Sequence, residues 1–272
     1  MVYISIITGI VIFTYLLRQL IKWKPIIPSL LNRQELFIYG HRGVPSLIPE
    51  NTISSFQKAF ELNVDGIELD IQITKDRELV VHHDPHLEQL TGKQMLISDL
   101  KYDEISKIDA RGENFTYLDF QSIPLLEDIL KILPKDMVVN VEIKSQQLCS
   151  EGMEKHVVDL ILKFDLLERA IVSSFNPLCL RKMKKLNSQI TTAQLWDEEE
   201  EFSSPYWIYI SRPDLFHGNI DQFTERKVNH LRELGLKVYA YTVNTSTQLE
   251  KVKCLKLDGI FTDDPTICNK KY

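Results

Sequence analysis

Residues 66–73 read GIELDIQI, and their alternation decides the fold class. Glu68 and Asp70 alternate with Ile67, Leu69 and Ile71. A period of two puts both carboxylates on one face of a strand and the aliphatics on the other. The same pattern returns in residues 137–145, MVVNVEIKS, where Asn140, Glu142 and Lys144 share a face opposite Val139, Val141 and Ile143. Further strand-like runs lie at 36–40, 79–83, 170–175, 190–195, 214–218, 236–243 and 258–262. Helical periodicity falls at 51–62, 124–133, 151–165, 177–186, 223–234 and 246–256. Alternating strands and helices predict an α/β protein with a parallel sheet. The nine runs exceed a (β/α)8 barrel by one, and 79–83 reads as part of an excursion after the second strand that continues through 84–123. A doubly wound open sheet is the competing architecture. However, no G-x-G-x-x-G follows the first strand, and no P-loop occurs.

The chain has 272 residues, 44% of them hydrophobic and 26% charged, which suits a globular domain and excludes a disordered chain. Its net charge of -6 leaves no basic excess for binding nucleic acid. Cys149, Cys179, Cys254 and Cys268 form no C-x-x-C pair and read as reduced thiols.

Residues 2–17, VYISIITGIVIFTYLL, carry no charge and precede Arg18, Lys22, Lys24 and Arg33. The run reaches the short limit for crossing a bilayer, about 17 residues. Its flanks lack the pattern of a cleaved signal peptide. The expected organisation is a membrane anchor over 1–24, a proline-containing linker over 25–35 and a catalytic domain over 36–272. The basic flank predicts a single-pass protein with its domain in the cytoplasm.

Barrel chemistry collects at the C-terminal ends of the strands. His41 ends one strand run, followed by Arg42 and Gly43, and His82, His83 and Asp84 end another. Glu68, Asp70 and Glu142 are expensive to bury as charges without a partner. Hard oxygen donors in that number suit Mg²⁺ or Ca²⁺. Salt bridges to Arg42 and Lys144 are the metal-free alternative. His41 and His83 suit general acid–base work, and Arg42 and Lys144 suit a phosphate. His82 should face the other way and reads as structural, as do His86, His156, His217 and His230. The run Asp197–Glu201 reads as a solvated loop or helix start, because consecutive carboxylates cannot all converge on one ion.

Several stretches together resemble the glycerophosphodiester phosphodiesterase family. They are HRGVPSLIPENTISSFQKAF at 41–60, DGIELDIQITKDRELVVHHDPHLEQLTG at 65–92, IPLLEDIL, VNVEIKS, IVSSFNPLCLRKMKKLN, VYAYTVNT and LDGIFTDDP. The resemblance spans about residues 36–267. It implies a (β/α)8 TIM barrel with a small insertion after the second strand. It makes His41 and His83 the catalytic pair, Glu68, Asp70 and Glu142 the ligands of one Mg²⁺ or Ca²⁺, and Arg42 and Lys144 the phosphate-holding residues. Glu50 and Asn51 fall in its P-E-N-T element. Tyr241 stands where the family often has Trp, on the wall contacting substrate, and Arg77 where it usually has Gly. The implied reaction is hydrolysis of glycerophosphodiesters to glycerol 3-phosphate and an alcohol. A lysophospholipase D releasing lysophosphatidic acid is the alternative. A catalytically inert, membrane-tethered binding module is a third reading.

Overall fold

The computed structural model describes residues 7–12, 14, 23–144, 152–200 and 203–269. Eight parallel strands close into a barrel: β1 (Phe37–Gly40), β2 (Gly66–Ile73), β4 (Val138–Ile143), β5 (Ala170–Ser174), β6 (Thr191–Trp196), β7 (Leu215–Asn219), β8 (Lys237–Tyr241) and β9 (Gly259–Thr262). Closure comes from β1, which pairs with β2 on one side and β9 on the other. The extra run is β3 (Leu79–Val81), antiparallel on the end of β2. The alternation of strand and helix therefore resolves into a barrel rather than an open sheet.

Among the described residues, the helices packed around the barrel are α1 (Ile53–Glu61), α2 (Leu126–Ile132), α3 (Met153–Lys163), α4 (Pro177–Leu186), the short α5 (Ile208–Ser211), α6 (Glu225–Glu233) and α7 (Ser246–Leu255). Their starts are written in the sequence. Thr52, Asn176, Thr224 and Thr245 each accept a backbone N–H of the first turn, and Pro177 takes the first position of α4.

Register fixes which side chains fill the barrel. Glu68 pairs with Asn140 and Asp70 with Glu142, so these four share the inner face. Lower in the barrel, Phe37, Tyr39, Val138, Ile171, Leu215, Tyr239 and Phe261 form an aromatic-rich plug, with Tyr39 and Phe261 rings 4.8 Å apart. The outward aliphatics Ile67, Leu69, Ile71, Val139 and Val141 pack beneath the helices. Apolar floor and polar mouth thus divide the interior along its axis.

The excursion after β2 runs close to the bounds expected from the sequence. Residues 74–125 include β3 and two one-turn helices, and bury their own cluster of Val80, Leu87, Ile97, Ile105 and Ile123. Arg77 occupies the family's usual glycine position at φ 74°, the left-handed region that glycine enters without strain.

The stretch read as a linker is packed onto the floor. Leu31 is buried among the interior aromatics, the Ile26 N–H donates to Asp214, and Arg33 pairs with Asp65 at 2.5 Å. Asp214 and Asp65 precede β7 and β2, so the chain enters the domain at the N-terminal ends of the strands. The anchor expected over 1–24 lies largely outside the described residues. Residues 7–12 and 14 are helical and exposed, and no helix among the described residues is long and apolar enough to cross a membrane.

Candidate active site

The first strand ends in a turn built around Gly43. Its φ is 90°, and a Cβ there would lie 2.2 Å from Ser55 Oγ, so the turn needs glycine. Ser55 Oγ accepts the Val44 N–H and donates to the Arg42 carbonyl, pinning the turn to α1. The Arg42 N–H donates to Glu68 Oε2 at 3.0 Å, which fastens the turn to the second strand.

Glu68, Asp70 and Glu142 are all buried and offer oxygens that lie within 4.8 Å of one another. Two cations face them. Arg42 Nε is 3.2 Å from Asp70, and Lys144 Nζ is 3.1 Å from Asp70 and 2.6 Å from Glu142. Asn51 also donates to Asp70, at 3.0 Å. Thr52 caps α1, and Asn51 is turned onto the carboxylate. Burial opposes ionisation of Asp70, yet Lys144 and Arg42 hold it well below the usual carboxylate range. Burial raises Glu68 well above that range, and Asp70 and Glu142 add to the rise.

This charge set fits a bound divalent cation. Three carboxylates face two fixed cations, and Glu68 Oε1 is buried with no hydrogen-bond partner among the described residues. All three donors are hard oxygens, the set that Mg²⁺ or Ca²⁺ takes.

The two candidate histidines flank the carboxylates, and each is backed by an acid. His41 Nδ1 is 2.6 Å from Asp263 Oδ1, while its Nε2 lies 3.9 Å from Glu68. Asp263 is held in turn by Asn244, whose Nδ2 donates to it at 2.6 Å. His83 Nδ1 is 2.6 Å from Asp84, which also accepts from Gln89. A carboxylate at Nδ1 fixes the proton there and leaves Nε2 as the working nitrogen. His82, half-buried, does not line the cavity, and burial lowers its pKa.

The mouth encloses a cavity of about 260 Å³ lined by His41, Arg42, His83, Glu142 and Lys144 on one side. Tyr241 lines the other, its hydroxyl donating to the Trp196 carbonyl at 2.9 Å. All the predicted site residues are therefore brought to one end of the barrel. Three were missed, namely Asp84, Asn244 and Asp263. A signal existed, since Asp84 adjoins His83 and Asp263 directly follows the final strand run, where a barrel places its chemistry. His217, read as structural, lines the cavity, and so do Asp197 and Glu200 of the acidic run. Asp197–Glu200 form a loop, as expected, and β6 ends at the mouth and delivers its first residues there.

A parallel barrel with two acid-backed histidines beside a buried carboxylate cluster is a site suited to acid–base chemistry. Residues 41–267 match the glycerophosphoryl diester phosphodiesterase family, and the chain belongs to it. It is 35% identical to a glycerophosphodiester phosphodiesterase of Caldanaerobacter subterraneus subsp. tengcongensis, over 84% of this chain and 94% of that one. It is 27% identical to a lysophospholipase D of Homo sapiens, over 84% of this chain and 83% of that one. Among solved structures, that of a Silicibacter pomeroyi protein shares the fold at a TM-score of 0.78 and 22% identity. That match covers 88% of this chain and 95% of that one. The chain is a glycerophosphodiester phosphodiesterase.

Proposed function

We propose that the enzyme hydrolyses water-soluble glycerophosphodiesters to glycerol 3-phosphate and an alcohol, with His41 and His83 as its acid–base pair. Glu68, Asp70 and Glu142 would hold one Mg²⁺ or Ca²⁺. The observation that carries this reading is the pair of imidazoles, each with a carboxylate at 2.6 Å, on either side of the buried carboxylates. Arg42 and Lys144 orient the diester anion through charge-assisted hydrogen bonds. One imidazole takes the proton of the attacking hydroxyl as the new P–O bond forms. The other gives a proton to the alcohol oxygen as the old P–O bond breaks. The attacking group is water, or a glycerol hydroxyl beside the phosphate whose cyclic product water then opens. Proximity favours the neighbouring hydroxyl. Asp263 and Asp84 keep each proton on Nδ1 and stabilise the imidazolium that forms. A cation held by Glu68, Asp70 and Glu142 would supply neutralisation of the charge developing on the phosphoryl oxygens.

A lysophospholipase D activity is the second reading, favoured by the human relative of that name. Membrane anchoring through residues 2–17, with the domain in the cytoplasm, belongs to the proposal and rests on the charge-free run and its basic flank. The chain enters the barrel at its floor, opposite the mouth, as the contact of Ile26 with Asp214 records. A tether at the floor does not direct the mouth toward lipid, which supports soluble substrates. Choline release from glycerophosphocholine and from lysophosphatidylcholine, with and without chelator, tests both readings. Release only from the lysolipid would replace the first with the second. Full activity in chelator would remove the cation.

A further inference from the structure

The catalytic reading uses one half of the cavity. The other half is walled by Phe175, Asp197, Glu200, Asn219 and Tyr241. Asp197 directly follows β6. Its Oδ1 accepts from Gln222 at 2.6 Å and its Oδ2 from Asn219 at 3.0 Å. Both donors are neutral amides, so they fix the carboxylate without cancelling its charge. Glu198 is paired with Lys227 at 3.1 Å, and Lys227 also lies over the Trp196 ring. Among the described residues, neither Asp197 nor Glu200 has such an ion pair. Residues 145–151 and 201–202, which directly follow Lys144 and Glu200, contain no Lys or Arg.

A second observation comes from the base of the same cavity. His217 is wholly buried, and neither ring nitrogen has a partner among the described residues. The same holds for Asn140 Oδ1. These are polar atoms that a bound molecule or its water would satisfy. Burial pushes the His217 imidazole down to about 3, so it stays neutral and adds no positive charge to the wall. The Tyr241 hydroxyl is raised well above its ordinary range by burial and then by Asp197, Glu142 and Glu200, so these carboxylates act on that ring.

The cavity is thus polarised. Arg42 and Lys144 stand at the phosphate end, and uncompensated carboxylates with the rings of Phe175 and Tyr241 stand at the other. An anionic wall beside an anionic substrate costs binding energy unless the substrate arm lying there is positive. We propose that Asp197 and Glu200, with Phe175 and Tyr241, form the subsite for the alcohol arm of the diester and select a cationic amino alcohol over a neutral polyol. The inference rests on the phosphodiesterase reading above. Aromatic faces and carboxylates together suit an alkylammonium group.

The test compares kcat/KM for glycerophosphocholine and glycerophosphoglycerol in the wild type, Glu200→Gln and Asp197→Asn. The wild type should prefer the choline diester. Each variant should lower the choline-to-glycerol ratio about 5- to 30-fold, mainly through KM for the choline substrate. Raising salt should lower the wild-type ratio. Glu200→Gln serves as the primary variant, because the Asp197 carboxylate also organises its loop. A wild type without preference, or a ratio unchanged in Glu200→Gln, would overturn the subsite and leave the phosphodiesterase reading standing. Hydrolysis of neither diester would overturn both.

Discussion

His41 and Asp263, 222 residues apart, share a 2.6 Å hydrogen bond across the seam where the first and last strands meet. Barrel closure therefore also assembles an acid-backed imidazole. Asp263→Asn keeps the shape but lets the amide donate to Nδ1, which moves the imidazole proton to the wrong nitrogen. Steady-state kinetics should show kcat reduced about 10²-fold or more, with KM changed little. An unchanged kcat would show that Asp263 only closes the barrel.

His41→Ala and His83→Ala should each lose about 10²- to 10⁴-fold in kcat, the usual contribution of a positioned acid or base. His82→Ala should retain most activity, because that ring lies outside the cavity. Equal damage from His82→Ala and His83→Ala would reverse the assignment.

Asp70→Ala and Glu142→Ala should abolish turnover while the far-ultraviolet circular dichroism stays native. Chelator should silence the wild type, and added Mg²⁺ or Ca²⁺ should restore it. Calorimetric titration of the metal into each variant separates lost binding from lost chemistry. A metal-stripped enzyme with full activity would exclude the cation.

Acid stability should carry the mark of His217. Burial holds its folded-state pKa near 3, below the ordinary 6.5. The unfolded chain therefore takes up the proton first, and stability falls as pH drops from about 6.5 toward 3. His217→Phe removes this dependence. Urea unfolding at about pH 7.5 and about pH 5 should show a pH-dependent loss smaller by up to about 2 kcal/mol in the variant. Equal losses would mean that the ring is protonated or hydrogen-bonded in the fold.

Removal of residues 1–22 should leave a folded domain active on soluble diesters, because the truncated chain keeps the described contacts of Trp23 and Ile26. Removal through residue 34 also deletes Leu31 and the Arg33–Asp65 pair. Loss of a buried leucine alone costs about 1.5–3 kcal/mol, so Tm should fall on the order of 5–10 °C. Identical melting of the two truncations would show that the floor segment contributes nothing.

The sequence by itself determined the strand faces and the helix starts, because period-two alternation and capping residues are local properties of the chain. It also marked His41, Arg42, Glu68, Asp70, His83, Glu142, Lys144 and Tyr241, all polar groups at strand ends or within strands. What it did not determine was pairing across the barrel. Asp263 backs His41 only because β1 and β9 become neighbours, and Asn51 reaches Asp70 only because the turn after β1 folds over β2. The apparent linker became the barrel floor because Leu31 finds an apolar opening that exists only after eight strands have closed. Asp197 and Glu200 reached the cavity for a related reason: β6 ends at the mouth, and register along a closed sheet, not local composition, decides which residues arrive there.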